Sequence, residues 1–355
     1  MNQPSTSSLP VTIGLDLGGR STQCAVLSPE GGLVEERKVS TTRRGVASLL
    51  ERHPRARVVM EASTPCRWIK NLAESLDHEV VIANPRAIPI ITSNVRKCDR
   101  NDARLLAEIG QVRPRLLSPV RIRDDDYQAV RTLLFARLQL IKQRTALVNF
   151  VRAEVKALGE SLPSCCTRSF VARNRSRIPD SLRKVLDPLF EVLEAVTEAI
   201  DGYDRQIEEV SARSLPQTQV LRQVHGVGPL VALAFVATIG SPGRFAKSRT
   251  VGPYLGLVPR MDQSCGHDPA LSITKCGDRY MRTLLVSSAT RILGCFGGDS
   301  DLRRFGLKIA ASGGKRAKAR ARIAVARKLS VLLHRLLVTG EVYEPLRNSA
   351  DCPAA

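Results

Sequence analysis

The sequence predicts a mixed α/β domain of RNase H-like order, then a coiled-coil middle of long helices, then a mostly α-helical C-terminal region. Three observations carry this. Residues 11–115 hold five short apolar runs, with helical patterns after the fourth and the fifth. Residues 120–215 carry apolar residues at seven-residue spacing. Residues 216–345 hold apolar helical stretches separated by glycine-bearing polar turns. At 355 residues the chain is long enough for two or three separate cores.

In the first region VTIGLDL is rich in β-branched residues, and QCAVLS follows it across Gly18-Gly19 as in a hairpin. LVEERKV is a third, more polar run with partial alternation. RVVME and EVVIA have the length and composition of buried strands. Between them TPCRWIKNLAESL repeats Trp68, Leu72 and Leu76 at four, which is helical spacing. RNDARLLAEIGQV is a further helix, with Asp102 near its start. Three strands followed by β-α-β-α describe an RNase H-like mixed sheet.

The middle region has two heptad segments. In the first, Tyr127, Leu134, Ile141, Val148 and Val155 recur every seven residues, with Leu133, Leu140 and Leu147 beside them. In the second, Leu182, Leu189, Val196, Tyr203 and Val210 form one row and Leu186, Leu193, Ile200 and Ile207 the other. Such helices predict an antiparallel hairpin or an intermolecular coiled coil. Pro188 is expected to kink or start the second helix. Residues 160–180 read as a linker of Arg and Ser with few large apolar residues. In the last region LRQVHGVGPLVALAFVATIG gives two helical stretches around Gly226-Val227-Gly228, and MRTLLVSSATRIL and ARIAVARKLSVLLHRLL give two more helices. The short tail after Glu344 is expected to be disordered.

Lys and Arg number 54 against 34 Asp and Glu, a net charge of +20, which favours a polyanionic partner, with nucleic acid the first candidate. Nine scattered cysteines without a CxxC pair argue against a zinc ribbon and fit a reducing compartment. The polar start MNQPSTSSLP is no signal peptide and no apolar run approaches about 18 residues, so a cytoplasmic protein without membrane contact is expected.

Against this basic background four acids stand out. Asp16 closes VTIGLD, Glu61 closes RVVME, and Asp99 and Asp102 lie three apart in KCDRNDA. In an RNase H-like sheet the first strand is central, the fourth lies beside it, and a following helix brings further acids to the same edge. Carboxylates grouped in this way offer the hard oxygen donors that suit Mg2+ or Mn2+. Two such ions, roughly 3.5–4 Å apart, activate an attacking oxygen and stabilise a leaving one. A lone acid at a strand end or helix start is commonplace, and Asp102 by itself fits a helix N-terminus. Four in this order are the signal.

The order IGLDLG, VVMEAS, NP, KCDRNDARLLAE resembles the DEDD-type insertion-sequence transposases of the insertion-sequence one-ten family. VHGVGPLVALAFVATIG, GRFAKSRTVGPYLGLVPR and ITKCGDRYMRTLLV resemble that family's second domain, and the match runs from about residue 11 to 338. The resemblance implies a RuvC-like metal-carboxylate domain over 11–115, coiled-coil helices and linker over 120–215, and a C-terminal transposase domain over 216–345. It implies a recombinase that cuts and rejoins insertion-element and target double-stranded DNA. Asp16, Glu61, Asp99 and Asp102 would hold magnesium. A serine after the GLxPR segment, here Ser264 in GLVPRMDQS, would form a phosphoserine link to DNA. It further implies that the carboxylates of one subunit serve the serine of another, and that a structured guide RNA from the element, a bridge RNA, selects the DNA by pairing. A homodimer, and a tetramer in the synaptic complex, would follow.

A serine hydroxyl needs a base or metal to become a nucleophile. His267 is the near histidine in sequence, and the acids with their metal are the simpler activator. By residues alone Ser264 is one loop hydroxyl beside Ser272 and Thr274; the resemblance selects it. Arg260, Lys275, Arg279 and Arg282 flank it as candidate phosphate clamps. The Gly226-Val227-Gly228 turn resembles a helix-hairpin-helix, whose backbone N–H groups can receive a phosphate. Residues 301–340 hold eleven Lys or Arg and one Asp, with Lys315, Arg316, Lys318, Arg320, Arg322, Arg327 and Lys328 in one stretch, a candidate nucleic-acid surface. Aromatic content of 4% argues against base stacking as a dominant mode.

Three other readings remain open from residues alone. One is a RuvC-like metal-dependent nuclease, such as a junction resolvase, in which Ser264 plays no part. Another is a non-enzymatic RNA-binding protein with structural acids. DLGGRST also resembles the phosphate loop of sugar kinases, although no second phosphate loop or Gly-rich adenosine motif follows.

Overall fold

The computed structural model describes residues 10–85, 99–122, 126–261, 271–314 and 316–348. The chain divides into two compact units, one ending at Ile122 and one beginning at Arg123.

The first unit is built on a five-stranded sheet: β1 (Thr12–Leu17), β2 (Ser21–Leu27), β3 (Leu33–Ser40), β4 (Arg57–Glu61) and β5 (Glu79–Ala83). The order is β3-β2-β1-β4-β5, antiparallel from β3 to β1 and parallel from β1 to β5. All five strands lie in the runs expected from sequence, and the mixed sheet with helices on both faces is consistent with an RNase H-like domain.

Alternation divides the side chains between two layers. Ile13, Leu15, Val58, Met60 and Ile82 pack against α1 (Arg43–Leu50) and α2 (Cys66–Ser75). The sequence reading gives no helix at α1. Thr42 caps it, its hydroxyl accepting from the Gly45 N–H at 3.2 Å. On the opposite face Val59, Val81 and Ala83 meet Leu106 of α3 (Asp99–Val112) and Leu117.

In the second unit α4 (Asp126–Ala157) and α5 (Asp180–Glu209) pair as an antiparallel hairpin, with Arg137 bonded to Asp204 and Arg144 to Thr197. Of the two heptad rows read for α5, Leu186, Leu193, Ile200 and Ile207 are buried, and Leu182, Leu189, Val196, Tyr203 and Val210 are half-buried. On α4, Leu134, Val148 and Val155 are buried, with Val130, Arg137, Arg144 and Val151 as a second inward row, while Leu133 and Leu147 are half-buried against the same cores. Two arginines thus occupy seam positions. Their aliphatic stems pack there while their heads reach across to α5, and burial pushes the Arg144 guanidinium below its ordinary pKa.

Pro188 lies inside α5, which starts eight residues earlier at Asp180, so it does not start the helix. The linker is folded: Phe170 is buried and stacks on Phe190 with ring centroids 6.0 Å apart, closing the end of the hairpin together with Ile178.

The hairpin's other end enters the core of the C-terminal helices. These are α6 (Gln217–Arg222), α7 (Pro229–Ile239), α8 (Arg279–Leu293), α9 (Asp301–Ala311) and α10 (Ala317–Thr339). Val130, Leu134 and Ile207 join Leu233, Phe235, Leu285, Leu329 and Leu333 in one cluster. The tail expected to be disordered is tied down as far as Asn348: the Asp301 N–H donates to the Pro345 carbonyl at 2.8 Å, and the Asn348 N–H donates to the Asp301 carboxylate at 2.9 Å. Among the described residues no helix is long and apolar enough to cross a membrane.

Candidate functional site

β1 and β4 end side by side at one end of the sheet, and each carries one of the four acids there, Asp16 and Glu61. β1 and β4 run parallel in register, Gly14 beside Val59 and Leu15 beside Met60. Continuing that register sets Asp16 level with Glu61. Alternation puts both on the face that carries Gly14 and Val59, which is the α3 face.

Close backbone packing fixes α3 over that face. A Cβ on Gly14 would lie 2.0 Å from the Ala103 carbonyl oxygen and 2.7 Å from the Ala107 nitrogen, and one on Gly110 would lie 2.4 Å from Val59 Cγ2. Arg57 at the start of β4 donates to the Gly110 carbonyl at 3.0 Å. Gln111 donates to the Pro10 carbonyl at 3.1 Å and to the Ser28 carbonyl at 2.7 Å. The C-terminal end of α3 is therefore held at the start of β1 and β4. Its first turn, with Asp99 and Asp102, stands over the end of those strands where Asp16 and Glu61 lie. Asp102 is buried, and Asp16 and Glu61 are half-buried. The side chain of Asp99 lies outside the described atoms.

Carboxylates on one shared face, under a helix N-terminus, are hard-oxygen donors and fit a divalent cation. Among the described residues no three His, Cys, Asp or Glu side chains already form a metal-sized cluster. The Gly18-Gly19 segment is a tight β-turn: the Gly18 N–H donates to the Ser21 carbonyl at 3.1 Å, and the Thr41 hydroxyl donates to the Gly18 carbonyl at 2.9 Å.

Ser264 and His267 lie outside the described residues; the segments that flank them form a paired base. Residues 256–260 and 272–275 run side by side: Pro259 bridges Ile273, the Arg260 N–H donates to the Ser272 carbonyl at 3.0 Å, and the Thr274 N–H donates to the Val258 carbonyl at 2.9 Å. Gly256 and Gly277, both at positive φ, allow this base to close, since a Cβ on either would meet the opposite backbone at 2.3 and 2.1 Å.

Arg282 donates to the Leu255 carbonyl at 3.1 Å and to the Cys276 carbonyl, so it braces the base from α8. Asp278 caps α8 through the Met281 N–H at 3.0 Å and pairs with Arg131 at 2.9 Å. Arg260, Lys275 and Arg279 are exposed around this base.

The basic stretch is sorted by the fold. Arg303 donates to the Ile292 and Gly294 carbonyls, Arg304 pairs with Asp299, and Arg335 pairs with Glu341. Lys328 lies 3.9 Å over the Phe305 ring. Arg316, Lys318, Arg320 and Arg322 are exposed and make no ion pair with any described residue. Buried Ala317, Ala321 and Val325 run between them, so Arg316 and Arg320 flank one side of the docked row and Lys318 and Arg322 the other. Lys315 lies outside the described residues. Gly226 is at positive φ against α8, where a Cβ would lie 3.1 Å from the Ser288 carbonyl oxygen, and Gly228 opens α7 without a side-chain cap.

A family profile for the DEDD-type IS110 domain, described as Transposase, matches residues 13–158. A second, described as Transposase IS116/IS110/IS902 family, matches residues 218–301. The chain is 30% identical over 294 residues to the transposase for insertion sequence element IS1111A of Coxiella burnetii, covering 81% of this chain and 79% of that protein. It is 27% identical over 281 residues to the transposase for insertion sequence element IS1328 of Yersinia enterocolitica, covering 78% and 82%. The chain belongs to the IS110 family of DNA transposases.

Proposed function

We propose that this transposase cuts and rejoins insertion-element and target double-stranded DNA through a composite site made of Asp16, Glu61, Asp99, Asp102 and Ser264. The observation that carries the reading is the setting of Asp16 level with Glu61 beneath the first turn of α3. The four carboxylates would hold Mg2+ or Mn2+, which when bound supplies charge stabilisation at the reacting phosphate. Ser264 Oγ would attack a backbone phosphorus and form a phosphoserine ester while a deoxyribose oxygen leaves. Attack by a hydroxyl from another strand would reverse the step and release the serine.

Arg260, Lys275 and Arg279 would hold the phosphate against Ser264, and Arg282 would keep the paired base formed by the flanking segments rigid. Gly226 and Gly228, with Arg316, Lys318, Arg320 and Arg322 and their neighbour Lys315, would track nucleic-acid backbone without reading sequence. A structured guide RNA that supplies sequence choice fits this sequence-neutral basic surface. Heptad helices exposed on a hairpin fit a homodimer built by coiled-coil contacts, and a tetramer at synapsis.

Asp16→Asn, Glu61→Gln and Asp102→Asn should each lower metal-dependent strand cleavage on the order of 10²-fold or more while leaving DNA affinity near the wild-type value. Cleavage at the wild-type rate in Asp16→Asn, with and without a chelator, would overturn the carboxylate reading.

A further inference from the structure

Two adjoining cavities open beside the Gly226 turn, of about 710 and 630 Å3, and share Gly226, Gly228, Ser287 and Arg291. The smaller contains the start of α7. The first intrahelical bond of α7 runs from the Ala232 N–H to the Gly228 carbonyl, and no side chain caps the helix. The N–H groups of Leu230 and Val231 therefore precede the ladder, and the positive end of the helix dipole faces the cavity. Ser288 lines the same space. It is 3% exposed, and its hydroxyl has no hydrogen-bond partner. A buried hydroxyl without a partner is costly, and an anion's oxygen would relieve it. The acids nearby, Asp204 and Glu208, are each paired with an arginine, Arg137 at 2.6 Å and Arg222 at 2.7 Å. Exposed Arg291 borders both cavities.

The larger cavity ends at Phe296, which is 89% exposed. It stands on a rigid turn. Arg303 donates to the Ile292 carbonyl at 2.7 Å and the Gly294 carbonyl at 2.5 Å, and a Cβ on Gly297 would lie 2.1 Å from the Ile292 carbonyl oxygen. An apolar ring held out in water by such bracing has no role in packing the core.

We propose that this cleft holds one unpaired nucleotide of a nucleic-acid strand, its phosphate on the α7 N-terminus beside Ser288 and Arg291 and its base stacked on Phe296. The inference rests on the nucleic-acid reading above and deepens it: the turn takes a splayed nucleotide at a strand end or junction, where a base face is free to stack. The phosphate is bound by backbone groups and the base by its π-face, so the site accepts any base.

The test is fluorescence anisotropy on the full chain without divalent metal, using a blunt DNA duplex, the same duplex with a short DNA overhang, and one with an RNA overhang. Phe296→Ala should weaken binding of an overhang duplex about tenfold and leave the blunt duplex unchanged, while Phe296→Trp should retain overhang binding. Arg291→Gln should lower the salt slope on the overhang duplex by about one. Loss on the DNA arm assigns the site to a DNA strand, and loss on the RNA arm assigns it to RNA. Wild-type binding to all three probes with no selective loss in Phe296→Ala overturns this inference alone. A wild-type chain that binds none of the probes overturns the nucleic-acid reading beneath it as well.

Discussion

Alanine at position 14 would place a methyl group where the structure leaves no room. An ideal Cβ there lies 2.0 Å from the Ala103 carbonyl oxygen, 2.7 Å from the Ala107 nitrogen and 3.0 Å from the Ala107 Cβ. The first two belong to the α3 backbone, so no rotamer change relieves the clash. To reach ordinary contact the helix must retreat by roughly 1.4 Å, which lifts Leu106 and Ala107 from the sheet. Overpacking of this kind costs about 1–3 kcal/mol, and a backbone clash belongs at the upper end. For a unit of this size about 3 kcal/mol lowers the melting midpoint by roughly 10–20 °C. The same retreat carries the first turn of α3 away from Asp16 and Glu61, so metal-dependent cleavage should fall together with stability. Gly19→Ala is the control, since a Cβ there meets nothing within 4 Å, and it should stay within about 0.5 kcal/mol of wild type. Scanning calorimetry of the full chain with a cleavage assay on both variants reads this. Gly14→Ala melting with Gly19→Ala and the wild type, at undiminished cleavage, would refute the close-packing account of how the acids are positioned.

Two further outcomes follow from the surface chemistry. Replacing Arg316, Lys318, Arg320 and Arg322 together by Gln should reduce the slope of log affinity against log salt by about 3 to 4 if each meets one phosphate; an unchanged slope in a salt titration would remove α10 from the nucleic-acid surface. Burial pushes the Cys24 thiol up to about 11 and raises that of Cys66, while a hydrogen bond from Ser169 lowers that of exposed Cys166. Only thiolate reacts, so iodoacetamide at pH 8 should label Cys166 well before Cys24, and peptide mass spectrometry showing the reverse order would contradict the burial of β2.

Four strands were legible as short apolar runs closed by polar residues and the more polar β3 by its partial alternation, and the positions of Asp16 and Glu61 near strand ends were enough to place them on one edge. Register and the α3 crossing were not legible, because they depend on Gly14 and Gly110 allowing backbone approach, which no periodicity reports. α1 and α9 were missed because RRGVASLL and DLRRFGLKIAA are short and their charges mask the apolar stripe. The heptads gave the α5 row correctly and half of the α4 seam. Arg137 and Arg144 hid the other half, since a charged residue at a seam position reads as surface until its partner across the hairpin is known. Phe170 and the tail to Asn348 are held by distant contacts with Phe190 and Asp301, which local composition cannot announce. Phe296 reads as an ordinary loop aromatic in sequence, and only the Arg303 brace shows that it is held outward. Ser264 was selected by family resemblance, not by any local signal.

The composite site is tested most directly at that serine. Ser264→Ala, incubated with Mg2+ and cognate DNA, should give no denaturant-resistant protein–DNA adduct and no strand exchange, while binding DNA as the wild type does. An adduct and strand exchange at the wild-type level in Ser264→Ala would contradict the account and leave the carboxylates as the whole of the chemistry.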